Sequence, residues 1–221
     1  MKYKVTIVLI SGIFLSVYSC NKATKSVMIP PPPIPVEITP IILPDTVQKA
    51  AHSDTVLDKF DVYKTWVIQK KALGPIFIGM DIKATDSILS NFKKQSAVSE
   101  DFGYSGGSPA YIYSINNEPI FAIVQTLNNK KVFAIVAISN QLKTDIGIHP
   151  KMTVEDFLNI YPKMKFSLDP MNGWETSEDA LNQWDFIFIT NSKNRIGLYT
   201  NPDQSTYPTR TSAQNAWIII R

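Results

Sequence analysis

One pattern of apolar and polar positions occurs twice along the chain. It reads LGPIFIGMDIKATDSILSNF over residues 73 to 92 and TDIGIHPKMTVEDFLNIYP over residues 144 to 162. In each copy an apolar stretch leads to a methionine, Met80 or Met152, and a segment with periodic apolar residues follows it. Each copy therefore predicts a strand, a turn and a short helix.

The predicted helix is clearer in the second copy. Its apolar residues recur with the spacing of one helical face, at Val154, Phe157, Leu158 and Tyr161. Thr153 has the hydroxyl of an N-cap, Asp156 stands three positions later as in a capping box, and Pro162 ends the run. In the first copy the cap is Asp81 or Thr85. The apolar face of that helix is predicted to consist of Ile88, Leu89 and Phe92.

Each helix is followed by segments with the composition of β-strands. They cover residues 110 to 115, 119 to 127 and 131 to 139, and then 164 to 169, 184 to 190, 195 to 199 and 216 to 220. Asn116-Asn117 and Asn128-Asn129 tolerate the backbone of tight hairpins. The sequence therefore predicts an α+β fold in which two similar helix-plus-antiparallel-meander repeats, about 66 to 140 and 141 to 221, form one domain.

The strand around residues 132 to 138 is apolar on both of its alternating faces. Two short helices cannot cover both faces of six to eight strands. The face without helices is expected to meet the other half of the domain, a dimer partner or a ligand. Packing of the two halves against each other is the interpretation that we favour.

The first twenty residues have the features of an exported lipoprotein. Lys2 and Lys4 precede a short apolar core, which is too short to span a bilayer. Val17-Tyr18-Ser19-Cys20 resembles a bacterial lipobox, although Tyr18 is larger than usual at its position. Cys20 is the only cysteine, so the chain forms no internal disulfide. Residues 1 to 19 are therefore predicted to be a signal peptide, and Cys20 to carry the lipid that anchors the protein to a membrane.

Residues 20 to 53 are predicted to be a tether. Seven prolines lie between Pro30 and Pro44, and they favour an extended polyproline II conformation. A proline-rich ligand for the groove of a partner is the alternative. The α+β domain is expected to occupy residues 54 to 221.

The charges exclude some classes of function. The formal net charge is +3, and the basic residues are interspersed with acidic ones, so no nucleic-acid partner is expected. No glycine-rich phosphate loop, HExxH motif or cluster of Cys and His is present, which predicts no cofactor and no metal. The two histidines are His52, in the predicted tether, and His149, for which a turn or packing role is favoured.

Catalysis by carboxylates would need a pair of acidic side chains near a bound glycan. The acidic residues that lie near aromatic residues in the sequence are Asp101, Glu175, Glu178, Asp179 and Asp185. Acidic residues are numerous enough for such proximity to arise by chance, and we therefore expect the protein not to be an enzyme.

Two loops contain the candidate ligand-binding residues. The loop over residues 101 to 111 places Phe102 and Tyr104 among glycines, and the loop over residues 169 to 179 contains Trp174. Aromatic side chains on loops can anchor a protein or a glycan. The alternative is that Tyr104 and Trp174 fold back over the sheet as part of the core. The remaining tryptophans, expected in core strands, are Trp66, Trp184 and Trp217.

The runs VFAIVAIS, TDIGIHPKMTVEDFLNIYP and AWIIIR resemble a family of small envelope lipoproteins of Gram-negative bacteria. The resemblance covers roughly residues 73 to 221, and Pro150-Lys151 departs from it. Members of that family are described as regulated by the envelope-stress sigma factor, with no assigned activity. The resemblance implies a lipid-anchored protein of the cell envelope, and we expect it at the outer membrane, facing the periplasm.

These observations predict a non-catalytic envelope lipoprotein that binds another envelope protein in an accessory or inhibitory role. The alternative is a binder or hydrolase of cell-wall glycan that uses carboxylates near Trp174, and a purely structural lipoprotein is a third possibility. A groove lined by Trp174 with paired carboxylates would favour a glycan, whereas a flat or concave apolar sheet would favour a protein. The sequence leaves the oligomeric state open.

Overall fold

The computed structural model of the protein describes residues 59–221, with side chains from residue 61 onward. The predicted signal peptide, Cys20, the predicted tether and His52 lie outside the described residues. Within residues 59–221, none of the helices combines the length and the apolar character needed to cross a bilayer.

The described chain is an α+β fold, as predicted. Its helices are α1 (Lys59–Thr65), α2 (Ile82–Ile88) and α3 (Val154–Ile160), with a short 3-10 helix, η1 (Ser99–Phe102). The strands of the first part are β1 (Val67–Gln69), β2 (Ala72–Leu73), β3 (Ile76–Phe77), β4 (Lys93–Val98), β5 (Pro109–Ile115), β6 (Glu118–Gln125), β7 (Val132–Ala137) and β8 (Lys143–Thr144). They are followed by β9 (Ser167–Leu168), β10 (Glu175–Asp179), β11 (Trp184–Phe188) and β12 (Trp217–Ile220).

Eight strands form one continuous antiparallel sheet in the order β4-β5-β6-β7-β12-β11-β10-β9. The two halves meet where β7 pairs with β12, with Val136 opposite Ile219. They are thus joined edge to edge, and the predicted packing of one half against the other is wrong. Four strands lie on each side of this junction, but the internal duplication itself stays a prediction. A smaller sheet, in the order β3-β2-β1-β8, was not predicted.

Helices α2 and α3 begin at corresponding places, two residues after Met80 and Met152. The carboxylate of Asp81 accepts the backbone N–H of Lys83 at 2.9 Å and caps α2. Thr153 caps α3 as predicted, because its hydroxyl oxygen accepts the backbone N–H of Asp156 at 3.1 Å. The same hydroxyl donates to the Asp156 carboxylate at 2.7 Å, so this carboxylate reaches the Thr153 side chain and not its backbone.

The helices cover one face of the large sheet, which we call the helix face. Phe157 of α3 is fully buried there, with its ring centroid 4.4 Å from that of Phe186. From the predicted apolar face of α2, Leu89 and Phe92 are buried. Ile88 is 39% exposed, so its prediction as a core residue is wrong.

The segment 195 to 199 was predicted to be a strand and is not one. The backbone N–H groups of Ile196 and Gly197 donate to the carboxylate of Glu175 at 2.8 to 2.9 Å, in place of a neighbouring strand. The second predicted loop is also shorter than expected, because residues 175–179 form β10. A buried acidic side chain thus organises a segment whose apolar alternation resembles that of a strand.

The tryptophans expected in core strands lie in three different environments. Trp184 is buried in β11, and its indole N–H donates to the carbonyl oxygen of Gln69 at 3.1 Å. Trp66 lies between α1 and β1, not in a strand, and is half-buried. Trp217 is in β12 but is only half-buried, on the face of the sheet opposite the helices.

Candidate functional site

The second face of the large sheet, opposite the helix face, is covered by two hairpin loops of the same chain. One loop joins β4 to β5 and contains Phe102 and Tyr104, and the other joins β9 to β10 and contains Trp174. Both loops reach Trp217: the ring centroids of Phe102 and Trp174 lie 6.0 and 5.4 Å from it, in edge-to-face geometry. Trp217 is therefore the point at which the two loops converge.

Beneath the loops lies a row of small and branched apolar side chains. The buried members are Ala110, Ala122, Val124, Ala134, Val136, Ile187 and Ile219. Phe102, Tyr104 and Trp174 pack against this cluster, as the alternative interpretation of the loop aromatics predicts. The apolar surface that was expected to need another half, a dimer partner or a ligand is covered by these loops.

An open cleft of about 770 Å³ lies between the loops and strands β10, β11 and β12. Phe102, Tyr104 and Trp174, the three candidate residues from the sequence, all line it. Tyr104 and Trp174 are half-buried, so each has both a packed and an accessible part. The structure thus brings the predicted residues together, and their role in binding stays a prediction.

A cluster of three charged side chains lies on the floor of the cleft. Glu178 and Asp185 are directly opposite each other on β10 and β11, and Arg221 follows β12. Arg221 Nη2 donates to Glu178 Oε1 at 2.8 Å and to Asp185 Oδ1 at 2.6 Å, while its Nε donates to Asp185 Oδ2. The guanidinium therefore binds Asp185 in a bidentate manner, through both carboxylate oxygens, and contacts Glu178 through one oxygen.

Burial raises the pKa of Asp185 above its ordinary value, although the hydrogen bond and charge of Arg221 oppose the shift. The pKa of Arg221 is raised, chiefly by its hydrogen bond to Asp185. Burial also raises the pKa of the Tyr104 hydroxyl, and the charge of Asp185 adds to that effect. The Tyr104 hydroxyl therefore stays protonated to a higher pH than that of an ordinary tyrosine.

We expect Asp185→Asn to remove a contribution to folding stability that grows as the pH falls. Because the folded-state pKa of Asp185 is raised, its charged form destabilises the fold, and this penalty disappears as the pH falls through that pKa towards 3.8. As the pH falls from 7 to 3.8, the stability of the wild type should therefore rise relative to that of Asp185→Asn. Urea denaturation of both proteins from pH 7 to below pH 3.8 measures the difference and also covers the range of the Asp179→Asn control.

Asp179→Asn provides a control of opposite sign. Burial raises the pKa of Asp179, but hydrogen bonds from Tyr161 and Asn182 outweigh it, and the net shift is downward. The stability that Asp179 contributes is thus lost as the pH falls below 3.8. A parallel response of the two variants to acid would contradict the assignment of Asp185.

Several polar groups of the cleft are available to a ligand. Within residues 59–221, no internal hydrogen bond involves Arg221 Nη1, Glu178 Oε2 or the Thr176 hydroxyl. The charged side chains that line the cleft are Lys163, Lys165 and Arg221 against Asp169, Glu178 and Asp185. Their formal charges balance, so the cleft is polar without a strong net potential.

The other carboxylates suggested by the sequence lie elsewhere. Glu175 and Asp179 alternate with Glu178 along β10 and are buried on the helix face, and Asp101 is exposed in η1 and does not line the cleft. His149 also lies outside the cleft, with its Nδ1 2.8 Å from the carbonyl oxygen of Pro150. Over residues 59–221, the acidic, His and Cys side chains form no group of three that could hold a metal ion.

Sequence reasoning missed the basic residues of the cleft. Arg221 follows an apolar strand, and Lys163 and Lys165 precede a strand of two residues, so no motif or periodicity marks them. Their position depends on the order of strands in the sheet. Only pairing between distant segments places Arg221 beside Glu178 and Asp185.

Comparison with known proteins gives little further information. No family model matches the chain, and no curated protein sequence matches it. A solved structure described as the uncharacterized protein yfeY from Escherichia coli is similar, with a TM-score of 0.44 and 11% sequence identity. The match covers 70% of this chain and 99% of that one.

Proposed function

We propose that the protein is a non-catalytic binding module of the bacterial cell envelope and that its cleft binds a glycan. The observation that carries this proposal is the combination, in one cleft, of Trp174 and Tyr104 with the paired carboxylates Glu178 and Asp185. A groove lined by Trp174 with paired carboxylates is the arrangement expected to favour a glycan over a protein.

A sugar ring offers two kinds of surface, and the cleft has groups for both. The C–H faces of the ring pack against aromatic side chains such as Trp174 and Tyr104. Its hydroxyls donate and accept at once, so they suit neighbouring acceptors and donors such as Glu178 Oε2 and Arg221 Nη1. Glu178 stands on β10 and Arg221 directly follows β12, and the ion pair between them positions both side chains before any ligand binds.

The balanced charge of the cleft supports a hydroxyl-rich ligand without a high density of charge. Nucleic acid binding depends on neutralising many phosphates with Lys and Arg, and here Glu178 and Asp185 would repel them. A strongly cationic peptide would be repelled by Lys163 and Lys165. A neutral or weakly charged glycan avoids both kinds of repulsion.

The contacts of Arg221 support binding without hydrolysis. A glycosidase needs one carboxylic acid that is free to give its proton to the leaving oxygen. Both oxygens of Asp185 accept hydrogen bonds from Arg221, and Glu178 shares the same guanidinium. Asp185 is thus held as an acceptor, and Glu178 keeps only Oε2 free of the guanidinium. Because both carboxylates are bound to the same cation, we expect no release of sugar fragments by the protein.

The alternative is an envelope protein as partner, bound through the same loop aromatics. A flat or concave apolar sheet would have favoured it, whereas the apolar sheet surface opposite the helices packs against Phe102, Tyr104 and Trp174. Location in the envelope is supported by the residue pattern of 1 to 20, with lipid on Cys20. We propose further that the protein lies at the outer membrane and faces the periplasm. Its relationship to the lipoproteins regulated by the envelope-stress sigma factor is likewise a proposal.

We expect Trp174→Ala to weaken binding of soluble cell-wall glycan fragments at least roughly tenfold, because it removes a central aromatic contact. Isothermal titration with the full-length protein measures this affinity. Glu178→Ala should weaken this affinity roughly fivefold. It tests the same cleft by removing an exposed side chain, whose loss leaves the packed loops intact. Phe77→Ala, an exposed phenylalanine on the small sheet, is the control and should bind as the wild type does.

Absence of saturable binding by the wild-type protein would refute the glycan proposal. Capture of one envelope protein by crosslinking, lost in both Trp174→Ala and Glu178→Ala, would then support the protein partner. Release of reducing sugar ends by the wild type, absent from Asp185→Asn, would contradict the non-catalytic assignment.

A further inference from the structure

Phe133 extends the aromatic lining at one end of the cleft. It lies on β7, close to the middle of the large sheet, yet 48% of its surface is exposed. Its ring centroid is 5.4 Å from that of Tyr104, in edge-to-face geometry. Tyr104 lines the cleft, so an accessible aromatic ring adjoins the cleft wall directly.

Tyr207 occupies a corresponding place at the other end. Its side chain is 57% exposed, and the ammonium of Lys165 lies 5.2 Å from its ring centroid. Lys165 lines the cleft, and Thr206 pairs with Phe166 just before β9. Tyr207 therefore stands beside the outermost strand of this half of the sheet.

The order of strands gives the distance that the groove spans across the sheet. Between β7, with Phe133, and β9 lie β12, β11 and β10. Four inter-strand spacings, about 19 Å, therefore separate β7 from β9, and Tyr207 stands beside β9 and not on it. The cleft floor lies within this interval, because Ile219, Asp185 and Glu178 belong to β12, β11 and β10. Val136, three positions after Phe133 on β7, lies in the same cross-strand row as Ile219, Asp185 and Glu178. A line from Phe133 through the cleft to Tyr207 therefore crosses the strands obliquely.

We infer that the cleft is the central part of a longer groove, in which Phe133 and Tyr207 are end subsites for a linear glycan several sugar rings long. The inference rests on the proposed function and narrows it to a polymer chain, as opposed to a terminal sugar. A disaccharide fills only the central part, between Tyr104 and Trp174. A longer chain continues over both exposed rings, each of which stacks on one further sugar.

The test uses peptide-free cell-wall glycan strands, fractionated by length from two to eight sugars, and the full-length protein. The affinity of the wild type should rise roughly tenfold or more from the shortest to the longest fraction as the end subsites fill. Phe133→Ala and Tyr207→Ala should each weaken binding of the longest fraction roughly fivefold and leave that of the shortest unchanged. Phe77→Ala, the control, should follow the wild type at every length.

The outcomes separate the two proposals. Wild-type affinity that is the same at all lengths, or equal losses at all lengths in Phe133→Ala and Tyr207→Ala, overturns the groove and leaves glycan binding in place. Failure of the wild type to bind any fraction overturns the proposed function itself. Both substituted rings are exposed, so circular dichroism is expected to show folded variants, and the length dependence is the quantity that decides.

Discussion

Replacement of Glu175 by glutamine is expected to destabilise the protein by about 3 to 5 kcal/mol. The side chain is fully buried, and its carboxylate accepts the backbone N–H groups of Ile196 and Gly197 and the hydroxyl of Tyr199. An amide turns one of the two acceptor oxygens into a donor nitrogen, which then faces other donors. The segment that contains Ile196 and Gly197 would lose the contact that holds it against the sheet.

Urea denaturation at pH 7 measures this effect, and Glu178→Gln is the matched control. Glu178 lies three residues later on the same strand, but its side chain is 57% exposed, so we expect a change below about 1 kcal/mol. Tyr199→Phe removes one of the donors and should cost roughly 1 kcal/mol. Similar stabilities of Glu175→Gln and Glu178→Gln would show that the buried carboxylate does not organise residues 195 to 199.

Phe157→Ala is expected to cost about 3 to 5 kcal/mol, because it opens a cavity where α3 packs on the sheet. Phe157 is fully buried and contacts Phe186 and Phe188 edge to face, with centroids 4.4 and 6.4 Å away. The matched control is Ile88→Ala on α2, for which we expect a loss of less than about 1 kcal/mol, since this side chain is 39% exposed and not enclosed in the core. Thermal and urea denaturation compare the two, and a large loss in Ile88→Ala would contradict its exposed position.

The parts of the fold that the sequence predicted depend on local patterns. Helix α3 was found from its apolar spacing and the Thr153 cap, and β5, β6, β7, β11 and β12 from runs of β-branched and aromatic residues. Strand β4 was missed because it is an edge strand with polar residues on both faces, so its sequence, KKQSAV, lacks alternation. The edge-to-edge junction of the halves depends on pairing between distant strands, which no local pattern encodes.

The candidate site was predictable in one of its two components. Phe102, Tyr104 and Trp174 stand in loops rich in glycine and polar residues, where an aromatic side chain is conspicuous. The charged cluster combines side chains from three strands, and its geometry depends on the register of β10, β11 and β12. Of the acidic residues named from the sequence, alternation along β10 sends Glu178 to the cleft and Glu175 to the helix face.

The pairing of β7 with β12 also bears on how the protein folds. Paired residues such as Ala137 and Ile218 are roughly eighty positions apart in the chain, so this ladder forms late and closes a long loop. Until β12 is available, β7 is an open edge of alternating Val, Ala and Ile, the type of strand that pairs with other molecules. We therefore expect folding to be slow, and the half-assembled sheet to be the species most prone to aggregation during synthesis.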